Sequence, residues 1–208
     1  MANSAPAAHI DWALPPGPTD WLMGTGVTRP ERRVVLASTA VAAAALVAVA
    51  ARQDVSWTWW QWVLAVALVV DVAGGVPANA LSTAKRLYHR DPAPGLPAAH
   101  RLARHHVTFA AVHVHVLVVA LAFPDATPTW ALWWYALPVA GTAVVVAAPL
   151  HLHRPLAAGT VTAAVIAAPL LDAPAGLAWL GPVLALKLVA SHAVREEPYR
   201  PAPHRPTT

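Results

Sequence analysis

Apolar residues along the chain group into six long segments, separated by shorter stretches that hold polar, charged or proline residues. The segments lie at about 33–51, 57–80, 105–123, 130–149, 155–172 and 177–195. Each is close to the roughly 20 residues that an α-helix needs to cross the hydrocarbon of a bilayer. The fifth is the most diluted, by residues such as Gly159 and Pro169, and if it did not cross, the C-terminus would lie on the other side. The pattern predicts an all-α, integral-membrane bundle of six transmembrane helices.

The stretches outside these segments have a different composition. Residues 1–30 are rich in Pro, Ala and Gly, and we expect a flexible or surface-lying N-terminal arm. Because this arm has no basic region followed by an apolar core, it is not expected to be a signal peptide. The six-helix membrane domain is expected at 31–196, and 197–208 is expected to be a disordered C-terminal tail. The basic, Pro-rich connection at 82–104 favours either a solvated loop near anionic headgroups or a phosphate-binding lid.

Composition supports the membrane prediction. Hydrophobic residues make up 57% and charged residues 12% of the 208 positions, against roughly 25% charged in soluble domains. The mean hydropathy is +0.50. Cys is absent, which excludes disulfides, thiolate metal sites and Cys nucleophiles.

Basic residues predict the orientation of the bundle. Twelve of the fourteen Lys and Arg fall in the arm, in the connections after the second and fourth segments, and in the tail. The opposite side has only Arg52, and Lys187 lies within the sixth segment. The positive-inside rule then predicts cytoplasmic N- and C-termini in a multi-pass protein of the inner (plasma) membrane. Because these cations flank the segments, the net charge of +4 does not indicate a nucleic-acid partner, and the expected partner is the lipid bilayer.

Tryptophan positions give a second indication of orientation. Eight of the ten Trp lie where the second, fourth and sixth segments begin, on the side poor in basic residues. They are Trp57, Trp59, Trp60, Trp62, Trp130, Trp133, Trp134 and Trp179. This distribution is typical of an aromatic belt at the outer interface.

The second segment carries the most informative residue, Asp71. A carboxylate inside an apolar span costs several kcal/mol or more and by default marks a functional site. On a helix, Asp71, Gly74, Gly75 and Asn79 share one face, with Asp71 about 12 Å above Asn79. Small residues on that face permit close helix approach or leave room for a ligand. The alternative interpretation is a paired or neutral acid that only holds helices together.

Ionisable residues in two other segments are candidate partners of Asp71. On a continuous helix His113 and His115 point in opposite directions, so at most one is expected to face the core with Asp71. Lys187 lies at a similar depth, and an Asp71–Lys187 ion pair or a Lys187 side chain that reaches the interface would each make its charge tolerable. His192 follows Lys187 on the sixth segment.

A carboxyl group kept dry in an apolar cavity would favour its protonated form and act as a proton donor to an apolar substrate. Aromatic faces stabilise carbocations. The candidate catalytic residues are therefore Asp71, His113, His115 and Asn79. The candidate substrate-binding residues are Trp59, Trp62, Gly74, Gly75, Phe109, Trp133, Trp134, Lys187 and His192.

With its size, helical bundle, Asp71-containing span and aromatic content, the chain resembles the small integral-membrane terpene cyclases of fungal meroterpenoid pathways and their shorter actinobacterial counterparts. The resemblance implies metal-independent, acid-initiated cyclisation of a hydrophobic isoprenoid-type substrate, with Asp71 as proton donor and no cofactor. The chain departs from the fungal proteins, which have seven spans and two essential acids.

Two further hypotheses come from other classes. A small proton-coupled transporter or channel would use Asp71, His113 or His115, and Lys187 as a relay. A membrane redox protein would bind a haem between His113 or His115 and His192, or a di-iron centre through His100, His105 and His106. No metal site is expected on the cyclase or transporter hypothesis, and the sequence indicates no oligomeric state.

Overall fold

A computed structural model describes residues 9–17, 19–20, 22–91 and 98–200, without the side chains of 98–100. Over these residues the chain is mostly helical. The eight helices are α1 Arg29–Arg52, α2 Trp59–Ala80, α3 Ser82–His89, α4 Ala98–Arg104, α5 His106–Ala122, α6 Pro128–Ala147, α7 His153–Ala167 and α8 Leu180–Ala193. The four short strands are β1 His9–Ile10, β2 Thr19–Asp20, β3 Gly24–Thr25 and β4 Tyr199–Arg200.

Each of the six apolar segments coincides with a helix, within a few residues at each end. Three of these helices, α1, α2 and α6, are long and apolar enough to cross a membrane, while α5 and α8 are shorter apolar helices. Large apolar side chains such as Val41 and Leu121 lie exposed on the outside of the bundle. A surface of this kind is stable against lipid and not against water, which indicates a membrane protein.

Capping residues fix where two of the long helices begin. Thr28 and Glu31 form a capping box at the start of α1, in which the Thr28 amide donates to the Glu31 carboxylate at 2.7 Å and the Glu31 amide donates to the Thr28 hydroxyl at 3.3 Å. Thr127 accepts from the Trp130 amide at 3.1 Å at the start of α6. These bonds satisfy amides that have no partner within the helix.

Helix α8 lies at the centre of the bundle and packs against α2, α6 and α7. At the contact with α6, the Trp134 indole lies over Gly181. A Cβ atom at Gly181 would come within 2.0 Å of that ring. The main apolar core, which includes Trp130, Leu180 and Leu184, surrounds this contact.

The N-terminal arm, α3 and the tail meet at one end of the bundle. Strands β1 and β4 pair antiparallel, with His9 opposite Arg200. Arg86 of α3 donates to the Asp11 carbonyl at 2.6 Å and to the Tyr199 carbonyl at 3.0 Å. We call this contact between the arm, α3 and the tail the terminal clasp. Of the tail that the sequence predicts to be disordered, Tyr199–Arg200 forms a strand, and 201–208 lie outside the described residues.

The connection at 82–104 is not the solvated loop that the sequence favours, because its first eight residues form α3 with a buried face. Lys85 lies in this face, and its ammonium donates to the carbonyls of Ser191 at 2.6 Å and Val194 at 2.8 Å. A cation at the C-terminal end of α8 satisfies carbonyls that the helix leaves free. The remaining part of the proposed lid, 92–97, lies outside the described residues.

We expect Gly181→Ala to destabilise the bundle by about 1–3 kcal/mol, the usual cost of overpacking a filled core. The matched control is Gly159→Ala in α7, where an added Cβ would meet nothing within 4 Å and where alanine favours the helix. Thermal unfolding in detergent, followed by tryptophan fluorescence, measures both. Equal midpoints for the two variants would contradict the α6–α8 contact.

Candidate functional site

Three helices lose their regular geometry at the same place. Residues 69–73 of α2, which include Asp71, form a π-helical turn, and so do residues 186–193 of α8, which include Lys187. Helix α5 is interrupted at His113 and Val114 and resumes at His115. Such irregular turns occur often at functional sites. Pro77 contributes in α2, since it has no amide to donate to the Ala73 carbonyl.

The Asp71 carboxylate joins the three helices. Its Oδ2 atom accepts from the Lys187 ammonium at 2.8 Å and lies 3.1 Å from Nε2 of His115. The ion pair that the sequence offered as one of two explanations for Lys187 is therefore confirmed. The Lys187 side chain is only 4% exposed, whereas Asp71 and His115 keep 38% and 29%. The site is therefore closed on the side of Lys187 and reaches the surface of the bundle on the side of Asp71 and His115.

Two glycines on the Asp71 face make this pairing possible. A Cβ at Gly75 would lie 2.6 Å from Cε of Lys187, and a Cβ at Gly74 would lie 2.6 Å from the Thr39 hydroxyl of α1. Both distances are too short for a real contact. The small-residue face therefore serves close approach of α1 and α8 to α2, and Gly75 gives the Lys187 chain its path to Asp71.

The interruption of α5 overturns the expectation that at most one of His113 and His115 lies on the side of Asp71. That expectation assumed a continuous helix, in which the two rings would diverge. Their ring centroids are instead 5.3 Å apart. Two side chains contact backbone carbonyls beside the interruption. His113 Nδ1 lies 2.6 Å from the Phe109 carbonyl, and the Tyr135 hydroxyl donates to the Ala111 carbonyl at 2.9 Å.

The contact with Asp71 fixes which ring nitrogen of His115 carries a proton. A carboxylate only accepts, so the His115 nitrogen that faces Asp71 is Nε2–H. The Nδ1 atom of His115 is buried and has no hydrogen-bond partner among the described residues. It is therefore the ring nitrogen of His115 that is free to accept a hydrogen bond or a proton.

A continuous column of rings leads from His115 to α3. Phe109 lies between two histidines, with its centroid 4.4 Å from that of His113 and 4.0 Å from that of His192. His192 is in turn 4.9 Å from His106, which stacks on His89 at 4.4 Å. We call His89, His106 and His192 the lower histidine cluster.

Backbone carbonyls also orient the lower histidine cluster. His89 donates from Nε2 to the His192 carbonyl at 2.9 Å, and His192 donates from Nε2 to the Ala103 carbonyl at 2.9 Å. Nδ1 of His106 and of His192 are buried without a partner among the described residues. The cluster therefore contains two buried ring nitrogens, in His106 and His192, that no described group hydrogen-bonds.

Burial sets the charges on α3. Burial, followed by the neighbouring His106 and Lys85, lowers the pKa of His89 to about 3, so this ring is neutral at physiological pH. Burial lowers the pKa of Lys85 to about 8 although the Glu196 carboxylate opposes the shift. Burial also raises the pKa of Tyr88 to about 12. At the end of the column nearest the terminal clasp, the uncharged His89 ring thus lies close to the Lys85 side chain.

The structure brings Asp71, His113, His115, Phe109, Gly74, Gly75, Lys187 and His192 into the site and column. Asn79, which is expected two turns below Asp71, is buried in α2, and its Nδ2 atom has no partner among the described residues. No contact joins it to Asp71.

Four predicted tryptophans lie elsewhere. Trp134 is 1% exposed and packs on Gly181 in the core, and Trp59 is 78% exposed at the start of α2. Trp62 packs edge-on against Trp57 about 13 Å along α2 from Asp71. Trp133 lines an outer groove between α6 and α7. The aromatic belt expected at the outer interface is also incomplete, because Trp130 and Trp134 are both core residues.

The sequence analysis did not predict that residues of α3 are buried. The spacing of the apolar residues could have indicated it, because Ala84, Leu87 and Tyr88 recur at helical spacing and form an apolar cluster with Ala103. The interruption of α5 has no such signal, since neither Gly nor Pro is present there. Among the described residues, no group of three or more His, Asp or Glu side chains has a geometry that would hold a metal ion.

Comparisons with known proteins assign the chain to no family. No protein-family model matches it, and neither a curated protein nor a solved structure does.

We expect Asp71→Asn to destabilise the protein because it leaves the Lys187 ammonium buried without a counter-charge. The loss should be about 2 kcal/mol, below the roughly 3–5 kcal/mol of a fully buried pair because Asp71 is partly accessible. The double variant Asp71→Asn/Lys187→Met should recover much of this loss. Unfolding in detergent measures each variant against Asp172→Asn, an exposed control, and a double variant less stable than the single one would contradict the ion pair.

The pKa of His89 predicts an acid dependence of stability. The unfolded chain binds a proton at His89 below about pH 6.5, whereas the folded protein does so only near pH 3. The contribution of this ring is therefore complete above pH 6.5 and is lost as the pH falls from 6.5 toward 3. His89→Gln, which keeps a donor for the His192 carbonyl, should flatten the fall in unfolding midpoint between pH 6.5 and 4. The control is His151→Gln, an exposed imidazole, and parallel curves for wild type and His89→Gln would contradict the prediction.

Proposed function

We propose that the chain is a small proton-coupled transporter or channel in which His115 gains and loses a proton against the Asp71–Lys187 pair. The observation that carries the proposal is the Asp71 carboxylate held between Lys187 at 2.8 Å and His115 at 3.1 Å within a helix long enough to cross a membrane. Ionisable groups at such positions are typical of proton pathways.

The accessibility of the site supports the proposal. A group that exchanges protons must meet water or a substrate on one side and be insulated on the other. Asp71 and His115 are partly exposed at the surface of the bundle, while Lys187 is buried and its ammonium donates to Asp71 at 2.8 Å. The Nδ1 atom of His115 has no hydrogen-bond partner among the described residues, so it is free to accept a proton.

The column of rings supports a route from this site toward the terminal clasp. His113, Phe109 and the lower histidine cluster follow one another at centroid distances of 4.0–5.3 Å. A neutral imidazole can relay a proton by accepting it at one ring nitrogen and releasing it from the other, and in His89, whose pKa is about 3, an added proton would be held only transiently. Phe109 is the one member of the column that carries no exchangeable proton, so water would have to pass it for conduction to occur.

The topology that we propose is a multi-pass protein of the inner membrane with six spans and both termini in the cytoplasm. Pairing of β1 with β4 supports placing the arm and the tail on one side. The end of the bundle that holds the terminal clasp also holds Lys85, Arg86 and Arg200, as the positive-inside rule requires of the cytoplasmic side.

Acid-initiated cyclisation stays a prediction, and the geometry supports it less well. The Asp71 carboxylate faces two donors, so His115 would be a better proton donor than Asp71. An apolar groove between α1, α2 and α8 is lined by Val69 and Ala73. These residues lie two positions from Asp71 and therefore point away from it. This groove therefore does not present a hydrophobic substrate to the carboxylate.

Proton flux in proteoliposomes tests the proposal. Wild-type protein should acidify dye-loaded vesicles under a potassium diffusion potential faster than empty vesicles do. Asp71→Asn and His115→Gln should each lower the rate about 100-fold or more, the scale of a positioned acid–base group. Asp172→Asn is the matched carboxylate control and should behave as wild type.

Two results would contradict the proposal. One is wild-type flux equal to that of empty vesicles, and the other is undiminished flux in folded Asp71→Asn. Turnover of a prenylated substrate in metal-free detergent, lost in Asp71→Asn, would favour the cyclase instead.

A further inference from the structure

A second feature, separate from the Asp71 site, is a cleft between the end of α6, the start of α7 and the segment after α8. It has a volume of about 600 Å³ and is lined by Trp12, Leu150, His151, Arg154, Arg195, Glu196 and Glu197. The cleft lies where a helix long enough to cross a membrane ends, at Ala147. Its walls come from three parts of the chain that are far apart in sequence.

The charges of the cleft are balanced. Two guanidinium groups, of Arg154 and Arg195, face two carboxylates, of Glu196 and Glu197. These four groups sum to no net charge, although this end of the bundle is basic. A lining with charges of both signs suits a ligand that itself carries both charges. A purely anionic ligand would be attracted by the guanidinium groups but repelled by the carboxylates, so it should bind less well than a zwitterion.

The residues differ in how firmly they are held. Glu196 lies 3.5 Å from the Lys85 ammonium and 3.8 Å from Arg154, and Arg195 lies over the Trp12 ring at 4.9 Å. Glu197 is exposed and has neither a hydrogen bond nor an ion pair among the described residues. The cleft therefore has one guanidinium group on α7 and one on the segment after α8, and that segment also holds Glu197, a carboxylate without a partner among the described residues.

The rim of the cleft is apolar. Leu150 is 56% exposed, and the neighbouring Leu152 is also exposed. Both belong to the short turn that follows α6 and so lie at the depth where the candidate span meets the interface. Exposed leucines beside a charged cleft at this depth suit acyl chains next to a headgroup.

We propose that this cleft binds the headgroup of a zwitterionic phospholipid that carries a phosphate and a primary ammonium. Arg154 and Arg195 bind the phosphate, Glu197 binds the ammonium, and Leu150 contacts the first part of an acyl chain. Guanidinium groups bind phosphate through paired hydrogen bonds. The site does not depend on the proton-transfer proposal, since it shares no residue with the Asp71 site.

Native mass spectrometry of the full-length protein in detergent tests the site with three probes. They are dimyristoyl phosphatidylethanolamine, dimyristoyl phosphatidylglycerol with the same chains, and free phosphoethanolamine. Wild type should retain phosphatidylethanolamine about tenfold better than phosphatidylglycerol, a difference of about 1.4 kcal/mol. Free phosphoethanolamine should not displace the lipid at equal concentration.

Two variants test the carboxylate and the guanidinium groups of the cleft separately. Glu197→Gln should abolish the preference by weakening phosphatidylethanolamine alone, because only that lipid has an ammonium. Arg195→Gln should weaken both lipids by a similar factor, because both have a phosphate. Arg52→Gln and Asp172→Asn, exposed charges outside the cleft, are the matched controls and should bind as wild type.

An unchanged preference in Glu197→Gln, or equal loss in the control variants, would overturn the proposal. Equal binding of free phosphoethanolamine would show that the site takes a soluble zwitterion and would overturn the assignment to a lipid. None of these results bears on proton flux through Asp71.

Discussion

The ion pair between Lys187 and Asp71 is the interaction on which the rest of the bundle depends. Each charge alone would be costly in an apolar helix, and together they are tolerable only at close range. That range requires Gly75, because any side chain there would occupy the path of Lys187. The pair therefore fixes how closely α2 and α8 approach, and the π-helical turns that hold Asp71 and Lys187 let both side chains point at the same place.

Helix α8 connects this pair to the terminal clasp. Lys187 lies in its π-helical segment, and His192 lies at the end of the same segment. Lys85 of α3 binds the Ser191 and Val194 carbonyls just there. This irregular segment thus positions three groups. They are the Lys187 ammonium beside Asp71, the His192 ring, which is the most buried of the lower histidine cluster, and the carbonyls that hold α3 in place.

The helices and the ion pair were predictable from the sequence, and for clear reasons. Apolar segments of about 20 residues have few alternatives to a helix. Asp71 and Lys187 are charged residues in apolar segments at similar depth, so pairing was the simplest solution. The small residues at 74 and 75 also indicated close approach, although they did not show that Lys187 would be the group that approaches Gly75.

The interruption at His113 and Val114 was not predictable, because side chains distant in sequence stabilise it. Tyr135 satisfies a carbonyl of α5 from α6, and no local pattern encodes that bond. The aromatic prediction failed for a related reason. Trp134 occurs at an interfacial position in the sequence, yet Gly181 of α8 leaves a surface on which its ring is buried. The position of a residue along a membrane helix predicts its depth in the bilayer. Whether its side chain is buried depends on the helix that packs against it.

The charge on Asp71 tests the central claim most directly. Infrared difference spectroscopy of wild type minus Asp71→Asn, in lipid at neutral pH, isolates the vibration of this one group. Pairing with Lys187 and His115 predicts the loss of an ionised carboxylate stretch. Loss of a protonated carboxylic acid band in its place would contradict the account and would make Asp71 the proton donor that a cyclase requires.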